Sequence, residues 1–304
     1  MSSSLPETFT TRPLALADAE RAADVIAALE EEHGQRPMTG PVQVRMWWER
    51  VDLDVDSWVV EADGQMLALA WLERRGDAPE AIVTVHPRHT GRGFGSELLD
   101  RAEARAREIG ADRLRTISFA RDTAGRALVE SRGSREVRRF YGMEIELDAA
   151  LPPARWPPGI RVEPFRREDA HAFFDALEEA FADEWGRRSM EFNEWLRLRV
   201  DSPDADHSVW FLARDGDEVA AVVRCDGSRE ETGWIGALGV RRAWRRRGLG
   251  LALLLHAFAE FRRRGKKRVG LGVDAENSTG APRLYERAGM HVAIEEVVFE
   301  KALA

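Results

Sequence analysis

The chain matches itself. A segment beginning at Ile82, IVTVHPRHTGRGFGSELLDRAEARAREIGADRLRTI, and one beginning at Ile235, IGALGVRRAWRRRGLGLALLLHAFAEFRRRGKKRVGLGV, share features at one constant offset of 155 residues. Val85 corresponds to Val240, Gly93 to Gly248, Gly95 to Gly250, Leu98 and Leu99 to Leu253 and Leu254, and Gly110 to Gly265. A strand, a glycine turn, a helix, a glycine and a second strand thus recur in fixed register. Such self-similarity restricts the fold to two copies of one supersecondary unit.

Each copy carries the same elements around this segment. Upstream lie two β-rich runs about Asp63-Gly64 and about Asp215-Gly216, the dipeptides of tight hairpins. Before each hairpin come two helical stretches with apolar residues at three- and four-residue spacing, as in DAHAFFDALEEAFADEW. Each half ends in a β-rich run, FYGMEIELD in the first and EEVVFEKAL in the second. The expected order is a strand, two helices, three strands, a helix, a strand, a helix and one or two strands. That order specifies an α/β layer whose mostly antiparallel sheet contains one parallel crossover. Domains are expected at residues 1–150 and 160–304. The segment LPPARWPPG, residues 151–159, is expected to link them, because its four prolines break helix and cannot donate to a sheet ladder.

With 304 residues, 44% hydrophobic and 32% charged, the composition is that of a folded protein. Its 45 basic against 53 acidic residues give a net charge of −8, which argues against general nucleic-acid binding. The single cysteine, Cys225, lies in an apolar run and reads as an inert strand residue, with a reactive thiol as the alternative. No metal is expected: no Cys/His spacing fits zinc, and His86, His89, His256 and His291 form no ligand set. No apolar run reaches the roughly 20 residues of a membrane span, and MSSSLPETFT lacks the features of a signal peptide. A cytoplasmic protein without membrane attachment is expected.

The chemistry concentrates in RRRGLG, Arg245 to Gly250, between a strand ending at Val240 and a long apolar helix. Cations at a helix N-terminus oppose the macrodipole unless an anion joins them, and the free amides of the first turn are suited to phosphate. Gly248 and Gly250 give a bulky anion access to the backbone. A Walker loop is excluded by the missing Lys-Ser/Thr pair. A Rossmann fingerprint is nearly met by Gly91, Gly93 and Ser96 in the first half, but the second half lacks its first glycine. Glycines serving only helix packing, with arginines coating the surface, are the remaining alternative.

The run Arg245, Arg246, Arg247, Gly248, Leu249, Gly250 resembles the [QR]-x-x-G-x-[GA] pyrophosphate motif of the GNAT superfamily of acyl-CoA-dependent N-acetyltransferases. The later stretch LGVDAENSTGAPRLYERAGM is similar to that family's second signature, and the tandem layout resembles the mycothiol synthase group of two-domain acetyltransferases. The resemblance implies that each half is a GNAT-like domain with a splayed parallel strand pair, and that acetyl-CoA is the cosubstrate. It places the pyrophosphate on Arg245 to Gly250 and the pantetheine arm along the backbone of Leu238, Gly239 and Val240, with an amide there polarising the thioester. Asn277 is implied as a cofactor contact, although Asn is also a favoured helix cap. Tyr285 matches the tyrosine that serves the leaving sulfur as general acid; a packing role is its alternative.

The general base is less legible. Many relatives place a glutamate on the strand before the arginine loop, where this chain has Trp234. Glu231 is the nearest carboxylate and stands as the candidate base, with Asp226, Glu230 and Glu184 as alternatives and a water chain to any of them as another route. Trp47, Trp48, Trp185 and Trp195 read as core, or as an apolar wall beside the acceptor. In the first half, Thr90 stands in the place of Arg245, Val129 in that of Tyr285 and Asp122 near that of Asn277. The first half therefore reads as a degenerate copy and the second as the catalytic one. The expected reaction moves an acetyl group to a primary amine of a small molecule by direct attack, with a non-catalytic acyl-CoA-binding sensor or scaffold as the alternative. The protein is expected to be a monomer or homodimer.

Overall fold

The computed structural model describes residues 9–74, 77–148, 151–187, 189–203 and 205–303; the stretch in which no signal peptide was read lies largely outside them. In chain order the elements are β1 (Thr10–Arg12), α1 (Ala19–Glu32), α2 (Pro41–Trp48), α3 (Leu53–Asp56), β2 (Ser57–Ala62), β3 (Gln65–Glu73), β4 (Glu80–Val85), α4 (Phe94–Glu108), β5 (Arg113–Phe119), α5 (Thr123–Ser131) and β6 (Arg135–Glu146). They continue with β7 (Ile160–Pro164), α6 (Ala170–Phe181), α7 (Phe192–Trp195), β8 (Phe211–Asp215), β9 (Glu218–Asp226), β10 (Thr232–Val240), α8 (Leu249–Arg263), β11 (Arg268–Asp274), α9 (Ala281–Arg287) and β12 (His291–Ala302).

Two compact units emerge, and their boundaries are not those of the repeat. The first unit is Met1–Phe140 together with Ile294–Ala304, and the second is Tyr141–Ala293. Each half has therefore given up its last strand. In the first unit the sheet order is β1-β2-β3-β4-β5-β12, with β12 antiparallel to β5 from Glu296↔Phe119 to Ala302↔Arg113. Val297 and Phe299 of β12 are fully buried there, against Leu99 of α4 and Val129 of α5. In the second unit the order is β7-β8-β9-β10-β11, followed by β6, whose Met143 and Ile145 join the core.

The expected linker 151–159 needs correction for the same reason: it lies inside the second unit. Its prolines keep it out of helix and ladder, but Leu151, Ala154 and Trp156 pack onto that unit's core. The Trp156 ring meets His256 of α8 edge-on at 5.9 Å.

Both units contain the expected parallel pair after a helical crossover. β4 pairs β5 only at Glu80↔Arg115 and Ala81↔Thr116, and β10 pairs β11 from Thr232↔Arg268 to Ile235↔Leu271. Past those points the strands diverge, since β4 runs on to Val85 and β10 to Val240. α4 and α8 cover one face of their sheets, with Ala102 and Ala106 on Ala81 and Leu114 in the first unit. α1 and α6 cover the other face. The ladders differ in one place: β3–β4 keeps register from Ala68↔Val85 to Glu73↔Glu80, whereas β9–β10 shifts between Ile235 and Ala237. Gly236 is the extra residue, a bulge that bends β10 where it leaves β11.

Candidate active site in the second unit

The site is built on the mouth between β10 and β11. Beyond Ile235↔Leu271 the edge of β10 that faced β11 has lost its partner strand, while its other edge remains on β9 through Val240↔Ala221. A strand edge in this state accepts an extended ligand as an added strand. Leu238 and Val240 turn their side chains toward α8, within 3.9 and 3.6 Å of the position a Gly250 Cβ would take. On the opposite face a Cβ at Gly239 would come 2.8 Å from Ala180, so glycine here lets α6 approach the sheet.

At the mouth α8 begins. Gly248 is its cap, with φ of 90°, a left-handed conformation that favours glycine, and a Cβ there would meet nothing within 4 Å. The outer side of the turn is open to a ligand. The first bond into the helix runs from Ala252 N–H to the Gly248 carbonyl at 3.0 Å, so the amides of Leu249, Gly250 and Leu251 have no acceptor within it. Leu249 itself is buried and anchors the turn. Gly250 does not serve anion access: its Cβ would lie 3.1 Å from Leu284, so its role is to let α9 pack on α8.

The arginines are less free than the sequence suggests. Arg245 donates to the Val240 carbonyl and to the Ala180 carbonyl, both at 3.1 Å, tying the loop to the end of β10 and to α6. Arg241 pairs with Glu179 at 2.6 Å, and Arg242 with Asp183 at 2.8 Å. Arg247 reaches Asp215 at 3.4 Å, where the Trp244 indole also donates at 2.9 Å. Arg246 is different. It is exposed, has φ of 62°, and makes no hydrogen bond or ion pair among the described residues. An L-residue in that conformation costs about 1–2 kcal/mol.

Tyr285 lies on α9 and is 7% exposed. Burial, reinforced by the charge of Glu184, pushes its phenol up to about 12. Among the described residues no group hydrogen-bonds to its hydroxyl. Asn277 uses its Oδ1 to accept from the Thr279 amide at 2.9 Å and its hydroxyl at 2.5 Å, which shapes the turn into α9. That oxygen is a capping group, and only the amide nitrogen of Asn277 is left to face a ligand.

Glu231 does not join this group. It precedes β10 at the end away from the mouth, where its carboxylate pairs with Lys267 and, at 3.2 Å, with Arg268. Hydrogen bonding from Lys267 lowers its pKa. Asp226 is held by Arg229 at 2.9 Å in the same hairpin, and Glu230 is exposed on its turn. Of the carboxylates considered from sequence, only Glu184 is near enough to Tyr285 to bear on its titration. Cys225 is buried, and burial raises its thiol far above the usual range, so it is inert. Sequence reasoning missed the Gly236 bulge, although a lone glycine inside a strand is its usual signal. It also missed the setting of Trp234, whose ring lies 2.8 Å from where a Gly270 Cβ would be and carries Arg229 stacked 4.6 Å above it.

The comparisons agree with this geometry. The profile of the Acetyltransferase (GNAT) family matches residues 22–133 and again 170–290. The chain belongs to the GNAT acetyltransferase family. This GNAT protein is 30% identical to a mycothiol acetyltransferase of Nocardiopsis dassonvillei over 97% of this chain and 94% of that protein. It is 33% identical to a mycothiol acetyltransferase of Geodermatophilus obscurus over 95% and 93%. Among solved structures, a GCN5-related N-acetyltransferase from Sphaerobacter thermophilus superposes with a TM-score of 0.83 at 36% identity, covering 99% of this chain and 97% of that one. A tandem GNAT protein from the clavulanic acid biosynthesis pathway has the same fold, with a TM-score of 0.73 at 19% identity over 97% and 99%. Among the described residues there is no group of side chains able to hold a metal ion and no helix long and apolar enough to cross a membrane.

Proposed function

We propose that the second unit transfers an acetyl group from acetyl-CoA to a primary amine by direct attack. The reading rests chiefly on the strand edge that opens beyond Ile235↔Leu271, with the open, Gly248-capped turn at one end and Tyr285 in the same unit. The amides of Arg247 to Gly250 and the Arg246 side chain would receive the pyrophosphate. The edge of β10 from Leu238 to Val240 would receive the pantetheine arm, and an amide at the bulge would polarise the thioester carbonyl. The family supports an acyl-CoA donor in general; acetyl as the group carried is part of this proposal.

Tyr285 acts on the leaving sulfur. A phenol near 12 keeps its proton at neutral pH, whereas a cysteine-type thiol ionises near 8.5. Complete transfer from phenol to sulfur is therefore uphill, and Tyr285 works by donating a hydrogen bond to the sulfur as charge builds on it, with solvent completing the thiol. The acceptor reaches the site as ammonium, since alkyl amines protonate near 10, and must lose a proton first. The names of the relatives put amines related to mycothiol at the head of any acceptor screen.

Titration calorimetry with acetyl-CoA, followed by amine-dependent release of free thiol, tests the proposal against a matched pair of variants. Gly248→Asp and Gly93→Asp impose the same backbone strain, because the two glycines have φ of 90° and 89°. Turnover is expected to vanish in the first and persist in the second. Absence of acetyl-CoA binding by the wild type would overturn the reading.

A further inference from the structure

We infer that the second unit takes its acceptor already neutral, so that it serves an amine of low basicity in preference to an alkylammonium. This rests on the acetyltransferase reading and adds to it the class of amine that the site admits. Two observations carry it: what occupies the sheet where β10 and β11 part, and how the charges of that face are used.

One face of the mouth is filled, because Leu238 and Val240 of β10 and Leu284 of α9 meet around Gly250 of α8. The other is the α6 face, into which a Cβ at Gly239 would point. Val222 lies opposite Gly239 and Arg224 opposite Ala237, so by alternation Val222, Arg224 and Asp226 of β9 share the α6 face. Trp234 lies opposite Asp226 and beside Gly270, and its ring covers Gly270 on that same face. Farther along, Gly236 and Gly272 are exposed, and a Cβ at Gly272 would meet nothing within 4 Å. An acceptor therefore reaches the acyl group across Gly236 and Gly272, with the Trp234 ring closing the way behind.

Trp234 stands where the first unit has a carboxylate: it pairs with Gly270 as Glu80 pairs with Arg115. Its ring carries the Arg229 guanidinium 4.6 Å from its centre. Among the described residues, the carboxylates that the strands and α6 bring toward this face are already matched. Asp226 accepts from Arg229 at 2.9 Å and from the Ser228 amide at 2.8 Å, and Glu231 is held by Lys267 and Arg268. Asp274 accepts from the Glu276 amide at 2.9 Å, while Glu144 of β6 and Glu184 after α6 have partners of their own. On α6, Glu178 is held by Arg187 and Ser189, and Glu179 by Arg241. Glu191 and Glu194, beside and on α7, are exposed to solvent. The bulge itself carries a cation, since the Arg224 guanidinium lies 3.3 Å from the Gly236 carbonyl.

An ammonium brought here would shed water without meeting an unspent counter-charge, and Arg224 would repel it. A neutral amine bears neither cost. At pH 7 an alkyl amine protonating near 10 is neutral in only about one molecule in a thousand, whereas an amine protonating near 7 is neutral in about half. The cleft thus selects by basicity, and the proton of an ammonium goes to solvent before the amine enters. In the step that follows, the nitrogen lone pair forms the C–N bond and the C–S bond breaks with its electron pair passing to sulfur. The nitrogen yields one proton and the sulfur gains one, so none is released overall.

The test does not require the natural acceptor. S-(γ-aminopropyl)-CoA carries an ammonium past the sulfur into the acceptor side, its β,β-difluoro analogue carries an amine that the fluorines keep neutral at pH 8, and S-butyl-CoA matches both in length. By calorimetry at pH 8 the wild type is expected to bind the aminopropyl probe at least roughly tenfold more weakly than the butyl probe, and the difluoro probe within about threefold of it. Trp234→Glu places a carboxylate on this face and should remove the penalty on the aminopropyl probe. Trp234→Gln, its neutral counterpart, should keep that penalty, and unmodified CoA should bind all three proteins equally. An aminopropyl probe that binds the wild type as well as the butyl probe, or better, overturns the inference. So does a penalty that the difluoro probe shares, that Trp234→Glu leaves untouched, or that Trp234→Gln relieves as fully. Failure of every CoA species to bind the wild type would instead sink the acetyltransferase reading beneath it.

Discussion

The two units keep the same scaffold and differ in the side chains placed on it. At the helix mouth they match closely: Gly93 and Gly248 share the left-handed cap, Gly95 meets Leu128 as Gly250 meets Leu284, and Gly91, with φ of 75°, has the backbone that Arg246 has with φ of 62°. Away from the mouth they are complementary. The first unit has Glu80 where the second has Trp234, but Val129 where the second has Tyr285, and Thr90 where Arg245 locks the loop. Backbone geometry is thus shared by two units whose side chains at these places differ. The cleft is a property of the sheet, and on the reading proposed above activity depends on a few residues placed on it.

The exchange of last strands gives the largest expected effect. If β12 completes the first unit, ending the chain before Ile294 removes the fully buried Val297 and Phe299 and the nearly buried Val298 from that unit. At about 1.5–3 kcal/mol for each of the three side chains the loss is roughly 5–9 kcal/mol, comparable with the stability of a whole domain. Amide hydrogen exchange should show α4 and β5 losing protection while β8, β9 and α8 keep theirs. Equal loss in both units would show that the chain end supports them jointly and that the division is mistaken.

Next comes the tyrosine. Tyr285→Phe is expected to lower kcat by about a hundredfold or more with acetyl-CoA affinity intact. Val129→Tyr, the reciprocal change, should restore no activity to a Gly248→Asp protein, because Thr90 cannot make the contacts of Arg245. Activity regained in that double variant would mean that the first unit lacks only the phenol.

A third difference lies in a carboxyl of the first unit. Glu296 of β12 lies opposite Phe119 of β5, and burial, aided by the charges of Glu80 and Glu30, raises it to about 7. A carboxyl raised on folding binds its proton more tightly in the native state. Its contribution is fully present below the unfolded value near 4.5, is lost as pH rises between 4.5 and 7, and stays lost above that. The loss is at most about 3 kcal/mol, at 1.36 kcal/mol for each pH unit. Urea midpoints should rise for Glu296→Gln at pH 8 and remain near wild type at pH 4.5. An equal rise at both would assign the gain to packing.

The duplicated scaffold was legible because hydrophobic periodicity and turn glycines act locally. The hairpins, the crossover helices and the Gly248 cap all follow from residues close in sequence. Strand exchange was not legible, since EEVVFEKAL is an equally good last strand for either sheet, and the choice rests on partners such as Leu99 and Val129, roughly 170 to 200 residues away. For the same reason Glu231 drew attention as the carboxylate nearest the loop in sequence, although it precedes β10 at the end away from the mouth and is held there by Lys267 and Arg268. Charge misled in another way. RRRGLG reads as an anion trap, but Arg245 and Arg247 hold protein groups, so composition counted cations that geometry had already used.

Arg246 offers the smallest and sharpest test of that last point. Its left-handed backbone costs stability that Gly91 does not pay, so Arg246→Gly should stabilise the fold by about 0.5–1 kcal/mol once the entropy of glycine in the unfolded chain is deducted. If the strain persists because the side chain serves the ligand, the same substitution should weaken acetyl-CoA severalfold, and more so at low salt, where an exposed cation acts at longer range. Opposite signs in melting temperature and affinity identify a residue kept for binding against its own cost. A variant that gains stability with unchanged affinity would show instead that phosphate is held by the helix amides alone, and that the arginine run exists to fasten the loop to α6 and β8.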